Sequence, residues 1–128
     1  MNFLLDTHAL LWFASGDKKL PELTRKQIMN IENNCYLSSV SLWEITIKLQ
    51  IGKLFLDLSM KELYSQIAKN QIEIIQILPE HLFAFSALPM HHTDPFDRLI
   101  LSQAIAEDLT IITKDKDFKK YEVKLHWS

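Results

Sequence analysis

Apolar positions along the chain fall into two patterns, short continuous runs and stripes three to four residues apart, and the two alternate along its length. Phe3-Leu4-Leu5, Cys35-Tyr36-Leu37-Ser38, Ile72 to Leu78 and Thr110-Ile-Ile-Thr113 are runs, the pattern of short strands buried on both faces. Val123-Lys-Leu-His126 reads as a weaker edge strand. Stripes predict a helix from His8 to Phe13, capped by Asp6 or Thr7 and ended near Gly16. A second is predicted from Pro21 to Asn33, with Leu23, Ile28 and Ile31 facing inward. Others cover Ser59 to Asn70 (Leu63 and Ile67 inward), Pro79 to Leu88 and Pro95 to Asp108. Val40 to Ile51 fits both patterns. Ile45, Ile47, Leu49 and Ile51 alternate as in a strand, whereas Val40, Trp43, Ile47 and Ile51 form a helix stripe. Ser41-Leu-Trp-Glu44, a capping-box pattern, favours the helix.

Strands alternating with helices imply a three-layer α/β/α sandwich around a mostly parallel sheet of four to five strands. The chain has 128 residues, 48% of them hydrophobic, with two glycines and four prolines, which fits one domain over residues 1–128. No apolar run is long enough to span a bilayer. The amino terminus lacks a basic n-region and carries Asp6 within its apolar stretch, so it does not read as a signal peptide. The single cysteine, Cys35, excludes an internal disulfide and suits a reducing cytoplasm as filler beside a buried strand. A net charge of −2 gives no basic signature of an electrostatically driven duplex binder. It leaves open an enzyme that holds phosphates through a metal bound by its own acids.

In parallel sheets, ligands sit beyond the carboxyl ends of the strands. Asp6 ends strand one. Ser38 and Ser39 end strand two with Glu44 beyond, and Thr113 ends strand four with Asp115 following. Asp94 and Asp97 open the helix that leads into strand four. They are expected at the opposite edge, joining the others only if the helix's amino end tilts up. Each acid also has a purely structural reading. Asp6 and Asp94 suit N-caps, with Pro95 at the first helical position and Asp97 complementing the helix dipole. Glu44 suits the third position of its capping box, and Asp94 can pair with Arg98 at i, i+4. Asp115 and Asp117 lie in a charged turn of the kind normally solvated.

Together, the acids would repel one another unless a cation neutralised them. All-oxygen clusters of this kind suit Mg²⁺ or Mn²⁺. Zinc would call for cysteines or histidines at ligand spacing, and the adjacent His91-His92 pair is assigned to a loop surface. No Gly-rich phosphate loop is present. Ser38, Ser39 and Ser41 have no evident His–acid partnership for nucleophilic catalysis.

Three stretches, LLDTHALLW (Leu4 to Trp12), SSVSLWEITIKLQIGKL (Ser38 to Leu54) and HHTDPFDRLILSQA followed by TIITKDKDF (His91 to Phe118), together resemble the PIN-domain ribonucleases. They are most similar to VapC-type toxins of bacterial toxin–antitoxin modules. The resemblance runs nearly the whole chain in order. It implies Mg²⁺- or Mn²⁺-dependent cleavage of single-stranded or structured RNA. Carried over by position, the family's four metal-binding and catalytic acids fall on Asp6, Glu44, Asp97 and Asp115. Thr7 and Thr113 match supporting hydroxyls, and Asp94 and Arg98 belong to the DPFDR signature. Asp94 either reaches the metal through water or simply caps its helix. Thr93 departs from the pattern, standing where many relatives carry a basic residue. The resemblance also implies a homodimer and a small antitoxin that inserts an apolar helix near the site, with a basic side chain in the acidic pocket.

Lys48, Lys53, Lys114 and Lys116 are candidates for steering RNA, and Trp12 and Trp43 for stacking on bases, although core packing is the commoner role of such aromatics. Two other classes fit part of the pattern. A receiver-like signalling domain also gathers acids and Mg²⁺ at strand ends, but needs an acidic pair after strand one, where this chain has Asp6-Thr7. A catalytically silent interaction module would use the acids only as caps.

Overall fold

The structure, a computed structural model, describes all 128 residues. Five parallel strands form one sheet: β1 (Asn2–Leu5), β2 (Asn34–Ser38), β3 (Glu73–Ile75), β4 (Thr110–Ile112) and β5 (Leu125–His126), in the order β3-β2-β1-β4-β5. Register is set by pairs such as Leu5 with Leu37 and with Ile112. Six helices connect the strands: α1 (Thr7–Ser15), α2 (Glu22–Met29), α3 (Ser39–Gln50), α4 (Met60–Lys69), α5 (Pro79–Ala87) and α6 (Pro95–Glu107). A 3₁₀ turn at Lys116–Lys120 precedes β5. No helix is long and apolar enough to cross a membrane.

Alternation along the strands makes the three layers. Successive side chains on a strand point to opposite faces. Phe3 and Leu5 join Leu10, Ile28, Leu37, Ile45 and Leu63 in one core. Leu4, between them in sequence, joins Ile100, Leu101, Ile111 and Phe118 in the other. Helices α1 to α4 supply the first layer and α6 the second, so both faces of β1 are sealed, as its unbroken apolar run requires.

Local chemistry sets the helix ends. Gly16 adopts φ +68° at the end of α1, its N–H reaching back to the Phe13 and Trp12 carbonyls. Ser59 and Glu62 complete a reciprocal capping box on α4. The segment from Ser39 to Gln50 is helical, but Ser38 is its cap, accepting from Val40 N–H at 3.1 Å. Ser41 and Glu44 lie inside α3 and are not its capping box. Helix α2 is shorter than the pattern predicts. Leu23 and Ile31 are exposed, and Thr24 takes the inward place with Ile28 because its hydroxyl bonds the Ser128 carbonyl at 2.6 Å. The third strand keeps only Glu73–Ile75, the length over which β2 can pair with it.

The strand order reverses direction at β1 and β4, which are hydrogen-bonded neighbours although far apart in sequence. This switch point is where a parallel sheet opens a crevice at its carboxyl edge.

Candidate metal and catalytic site

Asp6 follows β1 at that crevice and begins α1. Its Oδ1 accepts from Ala9 N–H at 2.7 Å and its Oδ2 from the Thr113 hydroxyl just beyond β4. It therefore caps the helix and is also tied across the switch point, so capping uses only one of its two oxygens. Burial pushes its carboxyl pKa upward, against the hydrogen bonds from Thr113 and Ala9. Thr113 Oγ1 in turn accepts from the Asp115 N–H at 3.0 Å. One hydroxyl thus links the first and fourth acids. Asp115 caps the 3₁₀ turn through Asp117 N–H at 2.9 Å and leaves its side chain open to solvent.

Glu44 reaches the same edge from α3. It is 4% exposed, deep enough that each oxygen needs a partner. Thr7 Oγ1 donates to Oε1 at 2.8 Å and lies 3.0 Å from the Ser41 hydroxyl. Lys48, one helical turn on, binds Oε2 at 2.6 Å. That hydrogen bond raises the Lys48 pKa, with the Asp94 and Asp97 charges adding to it. Lys48 is thus an internal counter-ion of the acid cluster rather than a loose surface lysine.

Topology alone starts Asp97 from the far edge of the sheet, whereas the resemblance places it with the other acids; in the structure it lies within electrostatic range of them. A helix that joins two parallel strands runs antiparallel to them. The amino end of α6 therefore lies at the carboxyl edge, and its carboxyl end feeds β4 at the other. Burial raises the Asp97 pKa to about 8, helped by the charges of Asp94, Asp115, Glu44 and Asp6. The four charges that act on it belong to the other acids singled out in the sequence, so each lies within electrostatic reach of Asp97. Asp94 is the N-cap of α6, accepting from Phe96 N–H at 2.9 Å and Asp97 N–H at 3.3 Å.

Arg98 does not pair with Asp94. It is 4% exposed, and its guanidinium donates to the Pro89, Leu88 and His92 carbonyls at 2.8, 3.4 and 3.5 Å. It lies over the Phe85 ring at 5.0 Å and fixes the loop before α6 rather than facing a substrate. Five donors in a rigid fork suit that loop, whereas one flanking carboxylate would use few of them.

His92 is a neighbour that the sequence pattern does not single out. Its Nε2 stands 3.7 Å from Asp97 Oδ2, so it is not a loop-surface residue. The signal available was its position two residues before the DPFDR cap. His8 and Trp12 also line the approach, in a cleft of about 300 Å³ with Asp6, Lys114 and Asp115. Trp43 is 61% exposed and packs edge-on against Phe96 at 5.5 Å. It belongs to a separate apolar groove of about 250 Å³ with Val40, Phe85, Pro95 and Leu99.

No three acidic, histidine or cysteine side chains stand close enough together to grip an ion as they lie. Several carboxylate oxygens are already taken by Thr113, Ala9, Thr7 and Lys48. The donor chemistry nevertheless fits a hard divalent cation. Every donor is oxygen, the cluster holds more negative charge than Lys48 balances, and Mg²⁺ takes one or two carboxylates directly with water completing the shell.

The fold has clear counterparts. A chain of VapBC2 from Rickettsia felis, bound to a promoter DNA fragment, matches at TM-score 0.74 and 22% identity, covering 100% of both chains. DNA-bound VapBC from Salmonella typhimurium matches at 0.71 and 14% identity, covering 98% of this chain and 97% of that one. VapBC-1 from nontypeable Haemophilus influenzae matches at 0.70, with the same identity and coverage. Among curated proteins no sequence matches the chain. The family model of the PIN domain matches residues 3–124, nearly the full length, and the chain belongs to the PIN domain family.

Proposed function

We propose that the chain is a single PIN-type nuclease domain that hydrolyses RNA phosphodiester bonds with Mg²⁺ or Mn²⁺, acting as the toxin of a VapC-type toxin–antitoxin pair in the cytoplasm. The observation that carries this reading is the meeting of Asp6, Glu44, Asp97 and Asp115 at the switch point, with Asp97 pushed up to about 8 by burial and by the others. Such repulsion is unfavourable in the free protein and is relieved by a bound cation.

Asp6, Glu44, Asp97 and Asp115 would hold the ion. A divalent ion in such a site polarises a phosphoryl oxygen and lowers the pKa of a coordinated water. Asp97 or Asp115 orients the attacking water or takes its proton. Thr113 and Thr7 keep the Asp6 and Glu44 carboxylates in place. Lys48, beside Glu44, supplies a cation for the RNA backbone. In-line attack leaves a 5′-phosphate and a 3′-hydroxyl, unlike metal-free cleavage through the 2′-hydroxyl.

The neighbouring structures include complexes of toxin and antitoxin, which supports a small protein partner. The groove beside Trp43, Phe85 and Phe96 gives an apolar helix somewhere to lie, close to an acidic site that would accept a partner's arginine or lysine. A homodimer belongs to the same reading.

The test incubates purified protein with single-stranded RNA in Mg²⁺, in Mn²⁺ and in excess EDTA, and maps the ends. Cleavage confined to the metal samples, with 5′-phosphates, is expected. Full cleavage in EDTA by a clean preparation would refute the mechanism. A chain that is harmless on strong expression and monomeric at high concentration would count against the toxin and dimer inferences.

A further inference from the structure

Tyr121, at the end of the 3₁₀ turn, is buried with its hydroxyl against the loop that precedes α6. Three groups meet it there. The His92 backbone N–H donates to the hydroxyl oxygen at 3.2 Å, and Arg98 Nη1 donates at 3.4 Å. These two donors occupy the oxygen's acceptor capacity. The phenol's own proton then has one acceptor within reach, His92 Nδ1 at 2.7 Å. A ring that accepts at Nδ1 carries its proton on Nε2.

His92 Nε2 is buried and has no hydrogen-bond partner, although it stands 3.7 Å from Asp97 Oδ2. A buried N–H without a partner is uncommon in folded proteins and calls for a reason. The His91 and His92 rings both pack edge-on against Tyr121, their centroids 4.9 and 5.4 Å from that of the phenol ring.

We propose that His92 is a positioning residue for Asp97. Its Nε2–H, set by Tyr121 and through Tyr121 by Arg98, closes on Asp97 Oδ2 and fixes that carboxylate, leaving the other oxygen to face a divalent cation. The inference rests on the metal-site reading above and extends it to the residues behind the acid. It also gives the DPFDR arginine a definite part. Arg98 fills a lone pair of the tyrosine and so helps decide which histidine nitrogen bears the proton.

Hydrogen-bonded partners behind a ligating carboxylate commonly change metal affinity by about ten- to hundred-fold when lost. The first measurement is ¹⁵N spectroscopy of the wild-type, metal-free protein at pH 8, which requires no variant and no RNA. The Nε2-protonated ring is expected for His92, becoming a tautomer mixture in Tyr121→Phe. The second is Mg²⁺ affinity by calorimetry without RNA. His92→Phe should bind about ten-fold or more weakly. His92→Gln, which can present an N–H near the same place, should keep most of the affinity. Tyr121→Phe should add little to His92→Phe, since both act through one hydrogen bond.

A His92 ring protonated on Nδ1 would overturn the proposal, as would unchanged Mg²⁺ affinity in His92→Phe or a glutamine variant as weak as phenylalanine. If all these results hold and RNA is still uncut, the nuclease reading fails while the positioning role of His92 stands.

Discussion

Replacing Asp97 with asparagine removes one charge and little else, and its effect on stability follows from the site. The Asp97 side chain is 22% exposed, and its pKa stands at about 8 against an ordinary 3.8. Between those values the folded protein holds a proton that the unfolded chain has released. The folded state then binds more protons, so stability falls as pH rises from about 4 to about 8 and levels off beyond. A shift of about 4 units, at about 1.4 kcal/mol per unit, sets a ceiling of about 5–6 kcal/mol. Relaxation and water entry around a partly exposed carboxylate reduce this to about 2–4 kcal/mol at pH 8.

Asparagine carries no such penalty at any pH. Its cost is the lost acid in the first turn of α6, about 0.3–1 kcal/mol. The charge effect wins. The net gain of about 1–4 kcal/mol, at roughly 3–6 °C per kcal/mol for a domain of this size, should make Asp97→Asn melt about 3–20 °C higher at pH 8 in EDTA. Near pH 4 the two proteins should melt together. Mg²⁺ should raise the wild type more than the variant and narrow the gap, because binding adds to native-state stability. RNA turnover should be lost. Thermal unfolding by circular dichroism from pH 4 to 8, with EDTA or Mg²⁺, checks every part. A variant no more stable than wild type at pH 8, or a gap that ignores pH, would refute the electrostatic argument. Retained cleavage would reduce Asp97 to a helix-starting acid.

Lys48→Met leaves buried Glu44 without its ammonium partner and should lose about 1–2 kcal/mol in EDTA, regained in Mg²⁺. An equal loss in both conditions would contradict the counter-ion role. Asp94→Ala should lose ~1 kcal/mol with its cap, while Asp94→Asn should be mild in both melting and cleavage. An inactive Asp94→Asn beside an active Asp97→Asn would reverse the assignment. Arg98→Lys cannot reproduce the fork to three carbonyls and should cost about 2–3 kcal/mol with no change in RNA binding by the folded protein in EDTA. Unchanged melting with weakened RNA binding would instead put Arg98 at the substrate.

Elements whose signal is local were legible from the chain alone. The buried runs Phe3-Leu4-Leu5 and Thr110-Ile-Ile became strands, and Gly16, Ser59 and Asp94 ended or began helices as their chemistry dictates. The alternation of strands and helices, with their apolar runs, was enough for a layered parallel sheet. The motif resemblance supplied the four acids as a set. What the chain could not give was anything decided by more than one element. Whether Ser38 or Ser41 caps α3 depends on where β2 stops, which its pairing with β1 and β3 sets. Leu23 and Ile31 lost their inward places because Thr24 found a partner 104 residues away. Asp97 joins Asp6 because antiparallel helix direction brings the amino end of α6 to the carboxyl edge, a consequence of the sheet rather than of the DPFDR letters. Lys48 on Glu44 and His92 behind Asp97 likewise exist only once the elements are packed. Spacing along the chain fixes what is local, while charge, burial and hydrogen-bond partnership come from neighbours that only the folded arrangement supplies.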